Sequence, residues 1–278
     1  MSDSDSPRLA RLLRRLDLRD LGKDEYLAEA GTGRSRLYGG LVAAQSVIAA
    51  GRTAEDAALH SLHAYFLRAG KSDTEIRFEV ERTRDGRRFS ARRVVAHQEG
   101  KPIFQLAASF TRVTGGGEHA DPMPSHSGPD GLADWEDARA QLAGARPRRD
   151  FEAFDVRVLE PERDAPGARS APSRAAWLRL RGTAPDDSLL RTALLVYATD
   201  RTMLRAAARP HGARWTTQAP ASLDHAVWLH RPPDLGDWLL YDCHSPAASA
   251  GRGLVFGAIY QRGGERVASV AQEGLIEA

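Results

Sequence analysis

His63-Ala64-Tyr65-Phe66-Leu67-Arg68 returns late in the chain as His225-Ala226-Val227-Trp228-Leu229-His230. The echo has company. Ser90-Ala91-Arg92 follows the first copy, Ser249-Ala250 and then Arg252 follow the second, and a glycine-centred hairpin signal comes after each, at Gly100 and at Gly263-Gly264. Self-similarity that keeps its order over such lengths is the mark of a duplicated supersecondary unit.

What surrounds each copy says what the unit is. Upstream of the first, Gly39-Gly40 opens an apolar run through Leu41, Val42, Ala43, Ala44, Gln45, Val47, Ile48 and Ala49 to Gly51, a buried helix with a glycine at its end. Upstream of the second, Pro185-Asp186-Asp187-Ser188 places acids and a hydroxyl ahead of an apolar run and predicts a helix from Asp187 or Ser188 to about Ala208. After the first helix, Leu62 to Phe110 alternates in the manner of strands. Ile76, Phe78 and Val80 interleave with Arg77, Glu79 and Glu81, and Asp85-Gly86 and Glu99-Gly100 mark hairpins. The second half adds strands at Phe154 to Leu159 and Ala175 to Leu180, separated by an irregular stretch from Glu160 to Pro172. The expected architecture is α+β, two tandem units in which an antiparallel sheet wraps a central helix.

Between Thr114 and about Arg149, Gly115-Gly116-Gly117, Asp121-Pro122-Met123-Pro124 and Gly128-Pro129-Asp130-Gly131 read as a linker, with a short helix around Trp135 to Leu142. The expected division is therefore residues 1–113, a linker over 114–149, and 150–278. A chain of 278 residues fits one large domain or two modest ones, and either way it can bury a real core.

Composition narrows the class. Lys+Arg at 39 and Asp+Glu at 37 nearly cancel, and the basic residues, all arginine except Lys23, Lys71 and Lys101, are scattered among acids without a run that would grip nucleic acid. A hydrophobic content of 42% argues against disorder, and Cys243 as the one cysteine argues against a disulfide scaffold and a thiolate metal site. The N-terminus is acidic and Ser-rich, unlike a secretory signal. Leu9, Leu12, Leu13 and Leu16 among Arg11, Arg14 and Arg15 describe a helix too short and charged to span a bilayer; one packed on the body is preferred to one lying on a membrane surface. A cytosolic protein is expected.

Asp200 is the most informative polar residue. In the predicted second helix Leu189, Ala193, Val196, Asp200, Met203 and Ala207 fall on one stripe, five apolar and one carboxylate. A carboxylate sunk in such a stripe costs several kcal/mol unless hydrogen-bonded. It is either a structural Asp held by the backbone or by Arg201 or Arg205, or a base kept from bulk water. The histidines are weaker candidates. His60 and His63, like Asp224-His225 and His230, occupy strand segments where a spacing of three turns side chains to opposite faces, so satisfied structural histidines are preferred to metal ligands. Cys243 beside His244 on an apolar strand reads as a core thiol. No nucleophile elbow, P-loop or dinucleotide glycine pattern is present.

Longer stretches carry a family resemblance. Tyr38-Gly39-Gly40, His60 through Arg68, Arg84-Asp85-Gly86-Arg87-Arg88-Phe89-Ser90-Ala91-Arg92-Arg93-Val94, Gly100-Lys101-Pro102-Ile103-Phe104, Leu223-Asp224-His225 through Pro232, and Ala268-Ser269-Val270-Ala271-Gln272-Glu273-Gly274 resemble the acyl-CoA thioesterase II family of double-hotdog proteins. The resemblance runs from about Leu9 to the C-terminus. It implies a hotdog fold in each half and hydrolysis of fatty acyl-CoA to free acid and CoA, with no metal or cofactor. It also implies assembly into homo-oligomers, while the scattered charges and the short N-terminal stripe give the expectation of no nucleic-acid or membrane partner. The family's water-positioning Asp, Thr and Gln fall on Asp200, Ser222 and Gln272, the serine keeping the hydroxyl but losing a methyl. Gln45 in the first helix is a vestige of the duplication or a packing partner. A backbone N–H near Gly39-Gly40 is the expected receiver of the developing oxyanion. The competing expectations are a hotdog hydratase or dehydratase, whose D-x-N-P-x-H motif is absent, and a non-catalytic acyl-CoA-binding protein.

Overall fold

A computed structural model of the chain describes residues 6–31, 36–144, 153–165, 167–212 and 221–276. In the first half, helix α1 (Pro7–Leu16) and strands β1 (Arg19–Gly22) and β2 (Glu25–Ala28) precede helix α2 (Gly39–Gly51), and strands β3 (Ala58–Phe66), β4 (Ile76–Asp85), β5 (Phe89–Gln98) and β6 (Lys101–Thr111) follow it. Helix α3 (Trp135–Ala143) lies between the halves. In the second, β7 (Phe154–Val158) and β8 (Ser173–Leu180) precede helices α4 (Ser188–Thr199) and α5 (Leu204–Ala208). Strands β9 (Ala221–Ser222), β10 (Asp224–Leu229), β11 (Leu239–Ser249), β12 (Arg252–Gln261) and β13 (Arg266–Leu275) complete it.

The strands form one antiparallel sheet in the order β1-β2-β4-β5-β6-β3-β10-β13-β12-β11-β8-β7, with β9 paired to β13. Read from its two ends, that order is the same: β1, β2, β4, β5, β6, β3 on one side and β7, β8, β11, β12, β13, β10 on the other. The fold is a double hotdog. The echo that reveals the duplication is also what joins it, because β3 and β10 pair with each other, Ala226 opposite His63 and His225 opposite Ala64. An antiparallel pair built from two copies of one segment is self-complementary, as in a two-fold interface.

Both hairpin signals flanking the core strands are used. Glu99 and Gly100 both take positive φ (50° and 72°) in the β5–β6 turn, the conformation a two-residue hairpin of right-handed twist requires.

Helices α2 and α4 lie side by side inside the sheet and run antiparallel. At one end a Cβ on Gly40 would stand 2.5 Å from the Tyr197 carbonyl, and at the other a Cβ on Gly51 would stand 2.3 Å from Leu189. Helix α2 is buried all round from Gly40 to Ala50, as expected for an apolar helix without a polar face. Gln45 within it is fully buried and donates to the Arg15 carbonyl (2.8 Å), so it is a packing partner that ties α1 to α2. Leu9, Leu12 and Leu16 of α1 are buried in the shared core, the position preferred for this stripe over a membrane surface. Among the described residues no helix is long and apolar enough to cross a membrane.

One predicted element is corrected. The helix expected to run to about Ala208 breaks after Thr199 and restarts at Leu204. The carbonyls left at the break find partners across the core: Tyr38 Oη donates to the Tyr197 carbonyl (2.8 Å) and Tyr241 Oη to the Thr199 carbonyl (3.1 Å). Asp200 therefore sits at the C-cap of α4 (φ −74°, ψ −10°), not mid-helix.

Candidate active site

The end of α4 meets the start of α2, and the meeting is what holds Asp200. Tyr38, at the N-cap of α2, offers no side-chain oxygen to the first-turn amides. Asp200 does so from the other half of the chain: Gly40 N–H donates to its Oδ2 (2.8 Å). A carboxylate at a helix N-terminus satisfies an orphan donor and lies at the positive end of the helix dipole. Tyr38 and Tyr197 lock the junction with an edge-on ring contact, centroids 5.0 Å apart. Arg201, next in sequence, turns away to Glu136 of α3 (3.1 Å) and lies over the Tyr38 ring.

The other Asp200 oxygen gathers the remaining two predicted residues. Ser222 Oγ donates to Oδ1 (2.9 Å), and Gln272 Nε2 donates to Oδ1 (2.8 Å) and to Ser222 Oγ (2.6 Å). All three side chains named from sequence thus lie in one hydrogen-bonded cluster. Among the described residues the hydrogen-bond donors to Asp200 are neutral: the Gly40 amide, the Ser222 hydroxyl and the Gln272 amide.

Strand register brings Ser222 and Gln272 together. Ser222 is opposite Gly274 on β13, two residues from Gln272 and so on the same face of the strand. The pairing moves by one residue between Ser222 opposite Gly274 and Ala226 opposite Ala271, with Leu223 absorbing the slip. That bulge adds a histidine to the cluster. His225, three residues after Ser222, ends on the same inner side instead of the opposite one. It is fully buried, with Nδ1 2.9 Å from Gln272 Oε1 and Nε2 2.8 Å from Thr199 Oγ1. Burial pushes its pKa down, against the opposing pull of nearby Asp200 and the Gln272 bond, so the ring is neutral near pH 7. Strand alternation alone conceals this residue.

The other candidates fall elsewhere. His60 bonds Ser109 Oγ (2.7 Å), His63 packs edge-on against Trp228, and His230 bonds Ser269 Oγ (2.7 Å). Cys243 is buried and burial pushes its thiol pKa up, which suits a core thiol and not a thiolate nucleophile. Among the described residues no group of three or more His, Cys, Asp or Glu is placed to hold a metal ion. The Gly40 amide, expected to face an oxyanion, is engaged by Asp200 instead, because the carboxylate occupies the helix N-terminus itself.

Two glycines make the junction possible. A Cβ on Gly39 would lie 2.8 Å from Asp200 Oδ2 and 2.7 Å from the Phe66 ring, and one on Gly40 would strike the Tyr197 carbonyl and the Tyr38 ring (2.7 Å). The carbonyl is backbone in the last turn of a packed helix and cannot swing aside. Gly40→Ala is expected to destabilise the protein by about 1–3 kcal/mol. It should also lower kcat by displacing the amide that holds Asp200. Urea midpoints and steady-state rates measure the two effects.

Known proteins give this constellation a family. A profile of the acyl-CoA thioesterase family matches residues 147–275, and one of the acyl-CoA thioesterase N-terminal domain matches residues 28–111. The chain is 34% identical to human acyl-coenzyme A thioesterase 8, over 87% of this chain and 80% of that one. It is 36% identical to acyl-CoA thioesterase 2 of Haemophilus influenzae, over 88% of each. Among solved structures, an acyl-CoA thioesterase II from Mycobacterium marinum superposes with a TM-score of 0.81 at 40% identity, covering 96% of this chain and 98% of that one. With both halves matched in order and two relatives above 30% identity over most of their length, the chain belongs to the acyl-CoA thioesterase family of thioester hydrolases.

Proposed function

We propose that this chain hydrolyses fatty acyl-CoA to free acid and CoA by direct attack of a water molecule that Asp200 deprotonates and that Ser222 and Gln272 orient. The observation that carries it is the acceptor inventory of Asp200. An ionised carboxylate has about four lone-pair sites. Ser222 and Gln272 fill Oδ1 and Gly40 takes one site on Oδ2, which leaves Oδ2 one acceptor for a proton from water. A base in general acid–base catalysis needs that free site and a fixed orientation. The cluster supplies both.

The halves are then unequal. Residues 150–278 bring all three polar side chains, and residues 1–113, across the 114–149 linker, bring the α2 amide that anchors the base. The acyl-CoA is expected near the α2–α4 junction. The surface depression along β2, β4 and β5 is ill suited to it, since Asp73, Glu75, Glu79 and Glu99 outnumber Arg77 there and oppose the phosphates of CoA. Exposed Tyr65 and Trp228 on the outer face of the central strands, 56% and 38% accessible, are the kind of surface a homo-oligomer covers.

Thiol release from octanoyl- and palmitoyl-CoA, read beside the absorbance of crotonyl-CoA, tests the reaction class. Thiol release with crotonyl absorbance explained by hydrolysis alone is the expected result. Hydration of crotonyl-CoA, or acyl-CoA binding without turnover, would contradict it, and an acyl hydroxamate trapped by hydroxylamine would make Ser222 a nucleophile.

A further inference from the structure

Gln272 presents a problem that a glutamine cannot solve alone. Its amide is useful only with the NH2 toward Asp200 and Ser222, yet its two ends are nearly the same size, and rotation by half a turn would put the carbonyl oxygen against the Asp200 carboxylate. We infer that His225 is a positioning residue for the hydrolytic step, its Nδ1–H holding the Gln272 amide in the one orientation that donates to Asp200 and Ser222. The inference rests on the proposed roles of those three residues and adds the group that fixes one of them.

The hydrogen bonds around the ring carry it. Gln272 Oε1 lies 2.9 Å from His225 Nδ1, and a carbonyl oxygen only accepts, so Nδ1 must carry the proton. A neutral imidazole has one N–H, which leaves Nε2 to accept from Thr199 Oγ1 at 2.8 Å, the hydroxyl turning its single hydrogen to the ring and away from its other acceptor, the Val196 carbonyl (2.8 Å). Both amide hydrogens of Gln272 are then committed, one to Asp200 and one to Ser222. The opposite tautomer suits Thr199, whose hydroxyl can accept from Nε2–H while donating to the Val196 carbonyl, but it fails at Gln272. It would aim a lone pair of Nδ1 at Gln272 Oε1, or require the flipped amide and a carbonyl oxygen beside an ionised carboxylate. His225, Thr199 and Gln272 are all fully buried, so water cannot repair either mismatch. Backbone pairing fixes the ring's position: β10 is bonded on both sides, to β3 and to β13.

The test has two arms. In wild-type protein labelled with 15N-histidine, with His225 assigned by its loss from a substituted protein, nitrogen shifts report which ring nitrogen carries hydrogen near neutral pH. A protonated Nδ1 is expected, and a bare Nδ1 overturns the inference whether or not any variant folds. In the second arm His225→Leu removes the donor, and His225→Asn restores one near the position of Nδ1. Misplacing a reacting group by about 1 Å costs on the order of 10²-fold, so His225→Leu should lower kcat by about that factor with KM little changed. His225→Asn should recover most of the loss. Equal kcat in His225→Leu and wild type, or no recovery in a folded His225→Asn, overturns the positioning role. Asp200→Asn assayed alongside keeps the two levels apart: an inactive Asp200→Asn with a fully active His225→Leu removes only the role of His225, whereas an active Asp200→Asn removes the reading beneath it.

Discussion

Asp200→Asn is expected to lower kcat for acyl-CoA hydrolysis by about 10²- to 10⁴-fold, the range for removing a general base. The substitution keeps the size and shape of the side chain but ends its basicity. It also breaks the acceptor pattern, because an asparagine has one acceptor oxygen for three donors, Gly40 N–H, Ser222 Oγ and Gln272 Nε2. One of those donors loses its partner, at a cost of about 1–3 kcal/mol. A protein with about 5–15 kcal/mol of stability remains folded. Circular dichroism should therefore be unchanged while turnover collapses, and KM should move far less than kcat, since the missing interaction belongs to the transition state. Turnover equal to wild type would remove Asp200 from the chemistry.

Asp164→Asn is expected to give the largest loss of stability, about 3–5 kcal/mol. Asp164 lies in the irregular stretch between β7 and β8 and is buried with two arginines. Its Oδ2 receives Arg174 Nε (2.9 Å) and its Oδ1 receives Arg209 Nε (2.8 Å), and all three side chains are at most 1% exposed. Arg174 also lies over the Trp135 ring of α3, and Arg209 follows α5, so one carboxylate holds the linker helix, the loop and the restarted helix together. Removing its charge strands two guanidiniums out of water. The same pair predicts an acid-sensitive stability. Burial pushes the Asp164 pKa up, but the charges and hydrogen bonds of Arg174 and Arg209 outweigh it and hold the group below its ordinary value. A carboxylate depressed in the folded state stabilises fully above its unfolded pKa of about 3.9, and that stabilisation is lost as pH falls through the folded value. Urea midpoints measured from neutral pH down to about 3 should therefore fall less steeply in Asp164→Asn than in wild type. Parallel slopes would show that the cluster is not coupled to folding.

The sequence carries the fold where its signals are local. The Gly39–Gly51 helix, the alternation of Ile76, Phe78 and Val80, and the glycine turns are each readable within a dozen residues, and the echo of His63–Arg68 in His225–His230 supplies the duplication. What escapes it is non-local. The carbonyls at the helix break near Asp200 are satisfied by hydroxyls of Tyr38 and Tyr241, far away along the chain, and the helical stripe runs on in sequence where the structure stops. The stripe still points to Asp200, because a lone carboxylate among apolar neighbours is costly wherever the helix ends. Ser222 and Gln272 come only from the family resemblance, as nothing in their own spacing distinguishes them from other strand residues. His225 is hidden by a one-residue slip at Leu223, a shift of register that alternation cannot anticipate.

A single turnover in H2(18)O, with enzyme in excess over palmitoyl-CoA, tests the central claim most directly, because it asks whether the Asp200 carboxylate acts as base or as nucleophile. Mass spectrometry of the released acid and of the peptide containing Asp200 follows the oxygen. Direct attack by water predicts one 18O in the fatty acid from the first turnover and none in Asp200. Unlabelled fatty acid together with 18O in Asp200 would mean an acyl anhydride on the carboxylate and would contradict the account.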